Sequence, residues 1–233
     1  MITTDELHKY PLFAGLSTIE LTALAACLSK RVVAKGAYLY HPGNPGLYTY
    51  LVQTGLVRLF FNNAQGQEFV LNLVGPGQVF GLPLWQEQQT RVLGAAALLP
   101  SVVLVIKRED LFHFMERFPT LMHNIYQELA TSSRSLTLRV RALTTLSLKG
   151  RLARLLLRLS MKDQNQGYKN EVYLPLSQGE MASWLGASRG RLNRAVKELT
   201  QLGLIRNDGQ KYVILDREGL EQIIQEPGSE ISF

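Results

Sequence analysis

The chain reads as α+β: an N-terminal double-stranded β-helix of jelly-roll type, a long helix, and a C-terminal winged helix-turn-helix. Three observations predict this. Between Val32 and about Lys107, short β-rich runs alternate with glycine-bearing turns, the punctuation of an all-β roll. From Glu109 to about Ser147, apolar residues recur at helical spacing. From Gln178 onward, two short helical runs joined by a glycine lead to Asp208-Gly209, a hairpin signal. The predicted boundaries are 1–108, 109–147 and 148–233.

Residues 5–30 read as short helices. Ser17 with Glu20 three residues on forms a capping box, and Leu21, Leu24, Ala25 and Leu28 follow at helical spacing. Cys27 in this apolar stretch reads as packed. In the roll, Gly36, Gly43, Gly46, Gly55, Gly66, Gly75 and Gly77 mark turns. Val57, Leu59 and Phe61 alternate with Arg58 and Phe60, as on a strand with unlike faces. Residues 62–66 are a polar hairpin tip, and Val102–Ile106 is an apolar run expected to be a buried strand. Phe80 and Trp85 read as core rather than as a ligand cage, and Gly75-Pro76-Gly77 as a turn rather than a phosphate cradle.

The helical region that starts at Glu109 is interrupted by Pro119. Its stripe comprises Met122, Ile125, Leu129, Leu136, Val140 and Leu143, with Leu129, Leu136 and Leu143 seven apart, as in a coiled-coil seam. The stripe could lie on the chain's own β-domain, but its length favours a dimer seam. Leu148–Gly150 reads as a hinge. The helix Arg151–Met161 should bury Leu152, Leu155, Leu156 and Leu159 and turn Arg151, Arg154 and Arg158 outward. A polar loop, a short strand at Val172–Leu174, a last helix capped by Asp216, and a loose tail from Pro227 complete the pattern.

The helix pair carries the chemistry. Ser177 and Glu180 form a capping box for the first helix, Gly186 suits the turn, and Ser188 is a good N-cap for the second. Met181, Leu185, Leu192, Ala195, Val196 and Leu199 bury one side. Arg189, Arg191, Asn193, Arg194 and Lys197 then face outward, as on a helix that lies in a DNA major groove. Arginine can bond guanine O6 and N7 with two donors, and asparagine can do the same for adenine. A solvated helical hairpin is the plainer alternative. The hairpin that follows reads as a wing and favours DNA.

The net charge of +6 and a pI of about 9.5 suit a polyanionic partner. The excess is local: residues 144–214 hold 12 basic and 5 acidic side chains, against 12 and 9 in residues 1–143. No apolar run approaches the ~18 residues of a membrane span, so no membrane partner is expected. One cysteine excludes an internal disulfide and a multi-cysteine iron–sulfur cluster. The opening residues lack the pattern of a signal peptide, so a cytoplasmic location is expected. His8, His41, His113 and His123 have no metal-ligand spacing, and no nucleophile–base pair, Walker loop or dinucleotide fingerprint is present. No metal site, catalytic set or enzymatic activity is expected.

These features in this order resemble the CRP/FNR family of bacterial transcription regulators, across nearly the whole chain. LSQGEMASWLGASRGRLNRAVKELTQLGLI and YLYHPGNPGLYTYLVQTGLVRL carry the resemblance. It implies a β-roll sensor domain, a dimerisation helix and a hinge. Its implied partners are double-stranded DNA, a second copy of the chain, RNA polymerase and a small-molecule effector. The family's recognition helix commonly reads Ser-Arg-Glu-x-x-x-Arg; here Arg189 and Arg194 match its base-contacting positions, and Asn193 could help. Gly190 replaces the glutamate, which costs roughly 1 kcal/mol of helix propensity relative to alanine. The resemblance and the helix faces place Ser177, Gln178, Ser188, Arg191 and Lys197 on phosphates.

The family's cyclic-nucleotide cassette has Gly-Glu and then Arg-Ser/Thr-Ala. Here Gly81 is followed by Leu82, and Arg91 by Val92. Leu82 cannot accept from a ribose hydroxyl and Val92 has no hydroxyl to donate. Each buried bond lost costs about 1–3 kcal/mol where a polar group is left unpaired. Leu136 stands where the cyclic-AMP receptor has a threonine, with Thr137 next to it. Cyclic AMP is therefore not expected, and the effector pocket implied by Gly81, Leu82, Arg91, Val92, Leu136 and Thr137 leaves its ligand unknown. Arg91 could be an anion anchor or a surface arginine. A ligand sensor of this fold acting through protein contacts, and a regulator that needs no effector, stay open as alternatives.

Overall fold

The computed structural model describes residues 2–66, 68–82, 90–162, 170–209 and 211–225. The chain divides into two units, Met1–Ser133 and Arg134–Phe233.

The first unit opens with α1 (Thr4–Leu7), a 3-10 turn at Pro11–Phe13 and α2 (Thr18–Cys27). Thr3 and Ser17 cap the two helices through capping boxes with Glu6 and Glu20. Eight strands follow: β1 (Leu28–Val33), β2 (Tyr38–Tyr40), β3 (Tyr48–Thr54), β4 (Val57–Asn62), β5 (Glu68–Val74), β6 (Val79–Phe80), β7 (Gly94–Ala97) and β8 (Ser101–Lys107). They form two four-stranded antiparallel sheets, ordered β1-β8-β3-β6 and β2-β7-β4-β5. One apolar cluster draws on all eight strands, including Val33, Leu39, Tyr50, Val57, Val74, Phe80, Ala97 and Val103, and so fills the roll. The opposite face of the first sheet offers Leu51, Leu104 and Ile106 to a second cluster with Leu7, Phe13, Leu21 and Leu24. Alternation along β3 and β8 thus serves two cores at once.

One expectation about the roll is corrected. Residues 28–30 are strand, not helix: Leu28 turns extended and β1 pairs with β8 from Leu28↔Ile106 onward. The run LSKRVV is buried only at its two ends, so an edge strand here leaves no alternation to read. β4 keeps its alternation through Phe60: Val57 and Leu59 face the cluster inside the roll, while Arg58 and Phe60 share the other face, the Arg58 guanidinium 5.2 Å above the Phe60 ring. The ladder between β4 and β5 shifts register between Leu59 and Phe60, because their partners are Asn72 and Val70 and Leu71 is the extra residue of a bulge in β5. Phe60 is fully buried on its face, and Phe61 is 40% exposed.

Phe60 also explains Gly94. A methyl group on Gly94 would stand 2.3 Å from Cζ of the fully buried Phe60 ring. Gly94→Ala should lower unfolding stability by about 1–3 kcal/mol, the usual cost of overpacking a core. Denaturant midpoints should show the loss, and adding Phe60→Leu should return part of it. An unchanged midpoint for Gly94→Ala would mean that the ring yields freely.

Beyond β8 come α3 (Arg108–Arg117) and α4 (Pro119–Thr145). The helical region is interrupted at Pro119 as expected: Phe118 turns extended, and Pro119 then opens α4, where a first-turn proline loses no hydrogen bond. Along α4 the predicted stripe has three fates. Ile125 is buried in the first unit's helical core. Leu129, Leu136 and Val140 are 50%, 41% and 61% exposed. Leu143 lies against Gly186, with Cδ2 2.8 Å from where a methyl group on that glycine would stand.

The second unit contains the end of α4, α5 (Leu148–Lys162), β9 (Glu171–Tyr173), α6 (Gln178–Trp184), α7 (Arg189–Gln201), β10 (Ile205–Asp208), β11 (Lys211–Ile214) and α8 (Arg217–Gln225). The strands form one antiparallel sheet, ordered β10-β11-β9. Leu152, Leu156, Leu192, Leu199, Ile205 and Leu220 are fully buried. Asp216 caps α8 by accepting from the Gly219 amide at 3.0 Å.

Leu148–Gly150 is not a break but the first turn of α5. The chain turns at Leu146–Ser147, where Ser147 Oγ accepts from the Gly150 amide at 3.1 Å. Gly150 answers packing instead, because a methyl group there would stand 3.3 Å from the Ile223 carbonyl. Arg151 is likewise not outward. Its Nη1 donates to the Leu143 carbonyl at 3.1 Å, satisfying one of the four carbonyls that a helix end leaves open. Its Nε is buried without a hydrogen-bond partner among the described residues.

Candidate nucleic-acid interface

The presentation of α7 follows from local chemistry. Ser177 Oγ accepts from the Glu180 amide at 3.2 Å, and the Ser177 amide donates to Glu180 Oε2 at 2.8 Å. This reciprocal pair starts α6, so the Ser177 hydroxyl is engaged in the cap itself. Gly186 adopts φ +64°, a left-handed conformation that glycine takes without strain. The Ala187 amide donates to the Ala182 carbonyl at 2.9 Å, closing the turn. Ser188 then caps α7, its Oγ accepting from the Arg191 amide at 3.4 Å.

Leu192, Ala195, Val196 and Leu199 anchor α7 on one side. Arg189, Gly190, Arg191, Asn193, Arg194 and Lys197 are all exposed. Among the described residues, no ion pair holds the side chains of Arg189, Arg194 or Lys197. By contrast, Glu198 on the flank is paired with Lys149 at 3.3 Å. The exposed face therefore carries uncompensated positive charge. It continues into a groove of about 390 Å³ between α7 and β10, where Asn193 and Lys197 face Arg206 and Asn207. Asn207 Oδ1 is buried there without a hydrogen-bond partner among the described residues. Gln178, in the first turn of α6, is exposed as well.

Two features of this unit escaped sequence reasoning. Arg139 of α4 lies 4.1 Å above the Trp184 ring at the end of α6, and its Nη2 donates to the Trp184 carbonyl at 2.9 Å. Burial, with Arg158 nearby, lowers this guanidinium to about 10, so it stays charged at neutral pH. Gly179 is the second feature: the nearest atoms to a methyl group placed there all belong to Arg189. Neither contact has a sequence signal, because each joins residues brought together only by the fold.

In the roll, the structure brings Gly81 and Arg91 together. A methyl group on Gly81 would be 3.1 Å from Arg91 Nη1. The Arg91 guanidinium sits 4.8 Å above the Tyr40 ring and donates to the Tyr48 carbonyl. Its backbone is tied to the 43–44 turn: the Arg91 amide donates to the Asn44 carbonyl at 2.8 Å and the Gly43 amide to the Arg91 carbonyl at 2.7 Å. Arg91 is thus an anchored group rather than a loose surface arginine. Tyr40, Tyr50 and Phe80 stack beside it, with Tyr50 and Phe80 5.1 Å apart, and burial raises the Tyr40 hydroxyl to about 12. Leu82 packs against the helical core, and Val92 is 79% exposed. Leu136 and Thr137 belong to the second unit, and Trp85 lies outside the described residues.

Among the described residues, no group of three or more His, Cys, Asp or Glu side chains could hold a metal ion. No helix among them is long and apolar enough to cross a membrane.

Comparison with known proteins bears on both units. Residues 150–223 match a Crp-like helix-turn-helix domain, and residues 30–118 match a cyclic nucleotide-binding domain. The chain is 30% identical over 213 residues to the cyclic AMP receptor protein of Thermus thermophilus, covering 91% of this chain and 96% of that one. Among solved structures, the Thermus thermophilus catabolite activator protein is similar at 28% identity, with a TM-score of 0.51 over 92% of this chain and 98% of the other. FixK2 from Bradyrhizobium japonicum shares the fold, with a TM-score of 0.74 at 23% identity over 84% of this chain and 96% of its own.

Proposed function

Since the chain belongs to the CRP/FNR family of transcription regulators, we propose that it reads a near-palindromic duplex site as a homodimer, with α7 of each copy in a major groove. The observation that carries this reading is the exposed, uncompensated face of α7, rigidly mounted by two caps and a buried apolar side. Arg189 and Arg194 read bases, helped by Asn193. Gln178, Ser188, Arg191 and Lys197 hold phosphates, and the Lys197–Arg206 groove follows the backbone toward the wing. The bare stripe of Leu129, Leu136 and Val140 is the seam between copies. A soluble regulator of this kind works beside RNA polymerase in the cytoplasm.

Cyclic AMP is not the effector in this reading. Arg91 already serves Tyr40 and Tyr48, while Leu82 and Val92 supply no polar group. Among the described residues, Arg91, Leu82 and Val92 do not fit a ribose hydroxyl and a cyclic phosphate. Mass spectrometry of what co-purifies with the protein identifies a ligand, and DNA affinity before and after denaturing extraction of small molecules shows whether binding needs one.

Selection of sites from a random duplex pool tests the reading: an enriched inverted repeat is expected, and a pool without consensus would defeat it. Gly190 gives the sharper form. Nothing lies within 4 Å of a methyl group placed there, so Gly190→Glu can be built without disturbing α7. A glutamate accepts from cytosine N4. Gly190→Glu should therefore change the selected consensus at one base pair per half-site, by a preference of about 1–3 kcal/mol. An identical consensus from both proteins would show that position 190 does not face a base.

A further inference from the structure

We infer that Gly179, in the first turn of α6, is a positioning residue for Arg189, an inference that rests on the base-reading role proposed for that arginine. A methyl group built on Gly179 would stand 2.7 Å from Nη2, 2.8 Å from Nε and 3.1 Å from Cζ of Arg189. Those three are its nearest neighbours, so the guanidinium occupies the space that any side chain at 179 would fill. Arg189 is the first residue of α7 and Gly179 the second of α6. The Gly186 turn is what brings them together.

The consequence is pre-organisation. A long side chain with several rotatable bonds loses much freedom when it is ordered at an interface. Resting on bare backbone, the planar guanidinium is restricted before DNA arrives, so less freedom is lost on binding. A side chain at 179 would push Arg189 off this seat. The fold itself would not be strained, because the displaced atoms are the free end of an exposed side chain. Exchanging glycine for alanine in a helix also raises helix propensity. Stability and sequence-specific affinity are therefore expected to move in opposite directions, a pattern that a merely structural glycine would not produce.

Gly179→Ala and Gly179→Ser, each in the native full chain and in Arg189→Ala, provide the test. Binding is measured on a selected duplex and on a random duplex, together with the thermal midpoint. For Gly179→Ala the midpoint should stay or rise, while affinity for the selected site falls about threefold to tenfold per half-site. Affinity for random duplex should not change, and neither substitution should weaken Arg189→Ala further, since contacts that share one group are not additive. Undiminished specific affinity in both Gly179 variants overturns the inference, as does an equal loss in the Arg189→Ala background. Specific binding unaffected by Arg189→Ala alone would remove the base-reading role itself, and this inference with it.

Discussion

Leu136→Glu combined with Val140→Glu should convert the protein to monomers and weaken binding to its selected site by at least about a hundredfold. Both positions are exposed in the single chain, at 41% and 61%. A substitution on such a surface changes the stability of one copy by only about 0.5 kcal/mol. In a two-helix seam the same positions face their counterparts. Four carboxylates would then be crowded into an apolar strip, and each uncompensated buried charge costs several kcal/mol. The loss of DNA affinity follows from geometry rather than from any contact with DNA. Two linked half-site contacts exceed either alone by about 10²–10⁴, and a monomer keeps only one. Sedimentation equilibrium should give the monomer mass, with the thermal transition of each unit retained. A double variant that still sediments as a dimer would place the seam elsewhere.

The exposed apolar face of α4 was legible in the sequence only in its middle. A seven-residue spacing joins Leu129, Leu136 and Leu143, yet Leu143 lies against the Gly186 turn and Ile125 inside the first unit's core. Periodicity shows which face of a helix is apolar, not what covers it. The helix-turn-helix was legible throughout, because its determinants are local: Ser177 with Glu180, Gly186 between the helices, Ser188 before Arg189. Each acts within four residues, within reach of a linear reading. The details of the roll were not. A bulge at Leu71 of β5 shifts that strand's register on β4, and no local pattern in the run of residues marks it. Gly94 makes sense only against Phe60, Arg139 only against Trp184, and Gly179 only against Arg189. In the candidate effector region the motif comparison singled out Gly81 and Arg91 and the fold places them in contact, but the ring beneath Arg91 belongs to Tyr40, fifty-one positions earlier. Side chains that meet across loops leave no periodic trace.

Arg189→Ala should reduce affinity for the selected site by about 1–3 kcal/mol per half-site while leaving affinity for random duplex nearly intact. Arg189 offers a fork of donors that fits guanine O6 and N7 together, and only a correctly placed base fills both bonds. Its removal therefore affects discrimination more than attraction. Lys197 makes the contrasting case. It lies two turns further along α7, beside the groove shared with Arg206, and an ammonium is a point charge without planar geometry. Lys197→Ala should weaken selected and random duplex by the same factor. It should also flatten the dependence of binding on salt by about one counterion per copy, since phosphate contacts release the ions condensed on DNA. The two variants together separate reading from holding. With Arg189→Ala, the ratio of specific to random affinity should collapse at every salt concentration, and with Lys197→Ala it should stay constant. Equal effects of the two substitutions on that ratio would show that α7 is held on the duplex by charge alone, with no base read from position 189.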